Sequence, residues 1–152
     1  MPLKNYTSSV PVDRSISYIE SKLAKAGARE ILKMYDPDGR VEGIAFNMPV
    51  GNTNMTFKLP AKILACETVL RASVRRPNSE TEKRIKEQAE RTAWKIVYDW
   101  VEVQMAMIEL TQTEFFEVFM PYLYNHVTKQ TYFQIVKEKG LQKLLPEAIS
   151  NS

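Results

Sequence analysis

Hydrophobic spacing changes character once along this chain, near Pro60. Ahead of it, short stretches alternate apolar and polar side chains, the period-two pattern of half-buried strands. Beyond it, apolar residues recur every three or four positions, the period of a helix facing a core. Residues 3–10 (LKNYTSSV) read as a first strand. One helical stretch interrupts the strands: Pro11-Val12-Asp13 opens it, Ile16, Ile19 and Leu23 form its buried face, and Gly27 ends it. Asp13 or Ser15 is in place to cap it, and Ser17 with Glu20 has capping-box spacing. A meander follows. Residues 29–35 and 41–48 flank Asp36-Pro37-Asp38-Gly39, a turn with proline second and glycine fourth. Pro49-Val50-Gly51-Asn52 turns the chain again into residues 55–59. Alternation in the second of these strands sends Ile44, Phe46 and Met48 to the core. The first half therefore reads β-α-β-β-β.

Everything after Pro60 reads as helix. Residues 61–74 form one helix, and Arg75-Arg76-Pro77-Asn78 breaks it. Ser79, with Glu82 three positions on, has the signature of a capped start, and the helix it opens extends to about residue 110. Residues 113–124 are a short aromatic helix interrupted near Pro121. Residues 131–139 are another, ended by Gly140, and residues 146–152 are a fraying tail. The expected architecture is a single α+β domain over residues 1–152. Residues 1–59 supply the antiparallel sheet and first helix, and residues 60–145 supply a helical half around one long central helix. The only linker, residues 75–78, is too short to separate domains.

The long helix carries the most information. At roughly 100° per residue, Ile85, Ala89, Ala93, Ile96, Trp100, Val103 and Met107 share one stripe. Trp94, Val97, Val101, Met105 and Ile108 form a second. Two apolar stripes demand two covers. The favoured geometry puts one against the sheet and the other against the C-terminal helices; the competing geometry uses the second stripe for a homodimer. The remaining polar edge runs Arg84, Gln88, Arg91, Lys95, then Asp99, Glu102 and Glu109. It is basic first and acidic last, the reverse of what the helix dipole favours at its ends.

Composition narrows the function classes. A chain of 152 residues that is 44% hydrophobic and 26% charged buries roughly 70% of its unfolded surface and needs no staple. With one cysteine it forms no internal disulfide and no thiolate metal site, in keeping with a reducing, cytoplasmic setting. No apolar run suits a secretory signal or a membrane span, and no membrane partner is expected. The net charge of +3 is unevenly distributed: residues 1–95 carry 17 Lys and Arg against 11 Asp and Glu, whereas residues 96–152 carry 4 against 7. A bipolar pattern of this kind can steer polyanions to one end or favour head-to-tail association, and chance produces it equally well.

The sharpest candidate site is the basic run Arg71, Arg75, Arg76, Lys83, Arg84, Lys86, Arg91 and Lys95, whose side chains suit nucleic-acid phosphates. Tyr6 and Tyr35 are the aromatics best placed in the basic half to stack bases, while Phe46 belongs to the core. The bland reading of the same run is a solvated helix face, with Glu80–Arg84, Glu82–Lys86 and Glu87–Arg91 all in the favourable acid-before-base order. Other chemistry is thin. His126 is the lone histidine, Cys66 lies among Ile63, Leu64, Ala65, Val69 and Leu70, and Asp36 with Asp38 is turn chemistry. Asp99 and Glu102 are a carboxylate pair without a third ligand. The Gly51-Asn52-Thr53-Asn54 stretch lacks the Gly-Lys-Ser/Thr ending of a phosphate loop. No catalytic residue, metal or cofactor is expected.

The opening LKNYTSSVPVDRSISYIESKL, with EGIAF, FKLPA and AERTAWKIVYDWVEVQMAMIEL, resembles a family of small uncharacterised proteins encoded by phages and prophages, over about residues 3–124. The resemblance implies a phage-derived protein in a bacterial cytoplasm and points toward DNA transactions or inhibition of host defence. It assigns no active-site residue. The expectation is a non-enzymatic nucleic-acid-associated protein that binds DNA or a protein–DNA complex through its basic helical edge. The rival is a protein-binding inhibitor or adaptor acting on a host factor.

Overall fold

A computed structural model describes residues 3–146, and within them the α+β class and the antiparallel meander are present. Helix α1 spans Val12–Ala26, with Ser15, Ile16, Ile19 and Leu23 buried. Pro11 stands at its N-cap with no side-chain bond, so neither Asp13 nor Ser15 caps it; the Ser15 hydroxyl is instead buried without a hydrogen-bond partner. Gly27 ends α1 in the left-handed region at φ 116°, its N–H returning to the carbonyls of Ala24 and Leu23.

Strands β1 (Ile31–Tyr35), β2 (Val41–Val50) and β3 (Thr53–Pro60) form a three-stranded antiparallel sheet in chain order. The β1–β2 turn is built as the DPDG pattern predicts. The Asp36 carboxylate accepts the backbone N–H groups of Asp38 and Arg40, both at 2.9 Å. At the β2–β3 turn Val50 pairs directly with Thr53, leaving a two-residue hairpin with glycine first, at φ 60°. Strand β2 is buried on both faces: Val41 and Ala45 as well as Ile44, Phe46 and Met48. The expected first strand is absent. Residues 3–10 form a turn that is tied to the long helix rather than to the sheet. Thr92 donates to the Asn5 carbonyl, Gln88 donates to the Ser8 carbonyl, and the Asn5 amide donates to Asp99 at 2.8 Å. Alternation in this segment reflects a chain lying along a helix, with Asn5 turned into the left-handed region at φ 62°.

Helices α2 (Ile63–Ala72) and α3 (Ser79–Glu109) form an antiparallel hairpin. The cap of α3 is Asn78, one residue ahead of Ser79, and its side chain accepts from the Thr81 N–H at 2.8 Å. The two stripes of α3 are buried at opposite ends. Ile85, Ala89 and Ala93 are covered in the first half of the helix, and Trp94, Val101 and Met105 in the second. Trp94 is fully buried and donates from Nε1 to the Val41 carbonyl at 2.9 Å, which bolts α3 to the central strand. Toward its C-terminal end the first stripe emerges: Trp100 is half-buried and Val103 exposed.

The aromatic helix is shorter than its sequence pattern. Helix α4 (Phe115–Phe119) passes into a 3₁₀ turn, Met120–Tyr122, where Pro121 interrupts it. Phe115 and Phe119 stack at 4.2 Å and meet Phe46 and Phe57 edge-on, and Trp100 closes on Phe119 at 5.4 Å. Trp100 of the first stripe thus touches the C-terminal segment within one chain, but the principal covers of α3 are α1 and α2 rather than the sheet and the C-terminal helices expected from its stripes. A short hairpin of β4 (Tyr124–Asn125) and β5 (Gln130–Thr131) lies beside β3, linked to it by a bridge between Phe57 and Leu123. Helix α5 (Tyr132–Lys139) starts from Thr131, whose capping box with Gln134 is complete, and stops at Gly140. A second 3₁₀ turn, Leu141–Leu144, follows. The fraying tail expected at residues 146–152 lies outside the described residues except for residue 146. Among the described residues no helix is long and apolar enough to cross a membrane.

Candidate nucleic-acid interface

The α2–α3 hairpin exposes its connecting loop, residues 75–78, and there the basic run is densest. Residues 71–86 hold six Lys and Arg against two Glu. Arg75, Arg76, Lys83 and Arg84 are all exposed, and among the described residues none of the four enters an ion pair. Arg76 is held in the left-handed region, φ 53°. For a non-glycine residue this is a restricted conformation, and the rigid hairpin on either side keeps it there. Lys86 is likewise exposed.

The rest of the run is committed elsewhere. Arg71 forms a two-pronged pair with Glu82 across the hairpin, at 3.0 and 2.7 Å. The hydrogen bond raises the guanidinium pKa and draws the Glu82 carboxyl below its ordinary range. That pair replaces the anticipated Glu82–Lys86 pair, because a guanidinium fork matches a carboxylate on two atoms where an ammonium offers a point charge. The other two expected pairs, Glu80–Arg84 and Glu87–Arg91, do not close within 4 Å either; Arg91 donates to Gln88. Lys95 pairs with Asp99 at 2.6 Å and lies over the Tyr98 ring at 4.2 Å. Arg91 and Lys95 therefore belong to the seam between α3 and residues 3–10.

The tyrosines are not gathered at the tip. Tyr6 is 46% exposed and lies in the segment fixed to α3 between Gln88 and Asp99, roughly 14–30 Å along the helix from its start at 1.5 Å per residue. Tyr35 is 60% exposed at the end of β1. The turn that follows it is drawn onto α2, because Arg40 donates to Glu67 at 2.6 Å and to Asp36 at 3.1 Å. Both rings are open to solvent, but neither is brought alongside Arg75 and Arg76.

Among the described residues Asp99 and Glu102 do not converge with a third carboxylate. Burial pushes the Asp99 carboxyl up, but hydrogen bonds from Lys95 and Asn5 outweigh it and hold the group below its ordinary range. Glu102 accepts from Tyr18 at 3.0 Å. Burial, and then that bond, raise the Tyr18 phenol to about 12. Asp99 and Glu102 thus anchor two different partners, the N-terminal segment and α1. Around Arg40, Asp36 and Glu67 make a buried ion cluster, and burial raises the nearby Glu90 carboxyl. Cys66 is buried, which raises its thiol pKa, and His126 is exposed in the β4–β5 turn. Among the described residues no group of three or more His, Cys, Asp and Glu could hold a metal.

A second group of cations went unnoticed in the sequence. Lys58, Lys62, Lys129 and Lys137 come from four separate elements or turns and line one cleft. They are spread over 79 positions, so no local charge run announces them; only the packing of α5 and the β4–β5 hairpin beside β3 brings them together. No family model, no curated protein and no solved structure matches this chain.

Proposed function

We propose that this chain is a non-enzymatic nucleic-acid-associated protein that grips phosphates with the tip of its α2–α3 hairpin. The supporting observation is the set of four exposed cations there, Arg75, Arg76, Lys83 and Arg84, none of them in an ion pair among the described residues. A loop and a helix start that project charge without internal partners suit a polyanion, since phosphate contacts gain from released counterions and need no shaped pocket. Of the rest of the predicted edge, Lys86 is exposed, whereas Arg71 closes the hairpin and Arg91 and Lys95 help to seat residues 3–10. With exposed tyrosines lying away from the tip, the contact is to backbone rather than to bases, and sequence preference is weak. A phage-derived origin and a bacterial cytoplasmic setting belong to this reading. Titration of labelled single- and double-stranded DNA at two salt concentrations tests it. Binding that weakens steeply with salt is expected, and no binding at low salt, or salt-indifferent binding, sinks it.

A second reading has its own observation. Val103, Leu110, Phe133, Leu141, Leu144 and Leu145 are all more than half exposed in the C-terminal third; Val103 and Leu110 lie in residues 96–128, which carry acids and no Lys or Arg, and the other four in residues 129–145, whose charged side chains are mostly basic. Exposed apolar surface suits a protein partner, as an inhibitor or adaptor of a host factor, or a second copy of this chain. A pull-down from host lysate that recovers no stoichiometric partner, with a monomer in solution, counts against it.

A further inference from the structure

We propose a second, independent ligand site: the cleft between the end of β3, the start of α2, and α5 binds a small anion that carries one flat apolar ring system. Two joined cavities make the case. The smaller one, about 230 Å³, is lined mostly by apolar and aromatic side chains, among them Ile96, Val97 and Trp100, with Cys66 in its wall. The larger one, about 610 Å³, has a mixed apolar and polar lining, and Lys58, Lys62, Lys129 and Lys137 face it. Pro60, Lys62 and Tyr122 line both, so the two are continuous at that point.

Size and charge select the ligand. The smaller cavity falls short of the roughly 300–1,000 Å³ of a typical small-molecule pocket. It accommodates one ring system while the rest of the ligand lies in the larger cleft. That cleft holds four ammonium groups and a single carboxylate, Glu42. Glu42 lies 3.7 Å from Lys58, whose ammonium also sits over the Tyr124 ring at 5.5 Å. Lys62, Lys129 and Lys137 are exposed and enter no ion pair among the described residues. Three uncompensated ammonium groups beside an apolar slot complement a phosphate or carboxylate attached to an aryl group; they add nothing comparable for a neutral ligand and repel a cationic one. Lys62 stands at the start of α2 and the hairpin tip lies beyond its end, on the order of 15 Å away. The site is therefore separate from the phosphate-gripping tip and does not depend on it.

The full chain is titrated calorimetrically with 1-naphthyl phosphate, with 1-naphthol and with inorganic phosphate, and Cys66 alkylation by iodoacetamide is timed with and without each. The expected result is that naphthyl phosphate binds more tightly than either half alone and slows alkylation of Cys66. Lys62→Gln and Lys137→Gln should each weaken it about three- to fivefold, the size of an exposed charge contact. Both positions are exposed, so folding is not at stake. Ile96→Phe should block the ring and abolish binding, with circular dichroism confirming the fold. Equal affinity for naphthol and naphthyl phosphate overturns the proposal. So does an unchanged alkylation rate at saturation, or no binding at all. Charge removal at Arg75, Arg76 and Arg84 should leave this affinity unchanged, so the two sites fail or stand separately.

Discussion

Replacing Arg40 by methionine should cost more than removing either of the carboxylates it serves. The Arg40 guanidinium donates to Glu67 at 2.6 Å and to Asp36 at 3.1 Å, and the three side chains retain only 17%, 7% and 15% exposure. Removing one member of a buried pair costs about 3–5 kcal/mol, chiefly because the other charge is left uncompensated. Arg40→Met strands two carboxylates, with Glu90 nearby adding repulsion to Asp36. The residual exposure places the cost near 3 kcal/mol, the lower end of that range. Glu67→Gln keeps an acceptor of the same shape and leaves Arg40 paired with Asp36, so its cost is about 1 kcal/mol. For a domain of this size those values correspond to a fall of roughly 6–12 °C against 2–4 °C in melting temperature. Urea unfolding at pH 7, with the slope held equal across variants, measures the difference directly. The pH dependence is a second check. Burial raises the Asp36 carboxyl, but hydrogen bonds from Arg40 outweigh it and hold the group below its ordinary range. Asp36 thus contributes stability that is fully present above the ordinary aspartate range and is lost as pH falls through its depressed value. Arg40→Met removes the cause of the depression, so the gap between wild type and variant should shrink below about pH 4. If Glu67→Gln costs as much as Arg40→Met, or if the gap is the same at pH 7 and pH 3, the ion-cluster reasoning is wrong.

Further outcomes follow from single contacts. Asn78→Ala removes the side-chain acceptor for the Thr81 N–H and should cost about 1 kcal/mol, with faster amide exchange confined to the first turn of α3. Trp94→Phe deletes the buried Nε1 donor to the Val41 carbonyl and should cost about 1–3 kcal/mol by urea melting; a neutral effect would mean that this link between α3 and the sheet is dispensable. Spectroscopic titration should find one phenol near pH 12, assigned to Tyr18 by its loss in Tyr18→Phe and lowered in Glu102→Gln. Because the folded state raises this phenol, stability should fall as pH climbs above the ordinary tyrosine range near 10. Asn5→Ala removes a hydrogen bond to the charged Asp99 and puts alanine, which tolerates the left-handed region less well than asparagine, at φ 62°; it should speed proteolysis within residues 3–10 while leaving the global midpoint almost unchanged.

Strong local signals were readable in the sequence. The DPDG turn, Gly27 ending α1, the break at Arg75–Asn78, Pro121 interrupting α4 and Thr131 opening α5 are all decided within a few residues by backbone chemistry. The two stripes of α3 also emerged, because helical periodicity over 31 residues leaves little ambiguity. What failed was decided by distant partners. Residues 3–10 alternate as a strand would, but Gln88, Thr92 and Asp99 capture them along the long helix, with one backbone reversal at Asn5. Asn78 and Ser79 both have the chemistry of a helix cap, and the register of the loop decides for Asn78. For the site, the cations of the hairpin tip were visible as a run, but the Arg71–Glu82 pair crosses two helices and withdraws one of them. The lysine cleft was invisible, since its members meet only in the folded chain.

The most direct test of phosphate binding by the hairpin tip is the slope of log affinity against log salt, for wild type and for the Arg75→Gln, Arg76→Gln, Arg84→Gln triple variant. Four phosphate contacts predict a slope of about −3.6 on duplex DNA and about −2.8 on single strands. The triple variant should retain its fold and bind with a slope reduced by roughly 2–3. A wild-type slope near zero, or a slope that the three substitutions leave unchanged, contradicts the assignment of the hairpin tip.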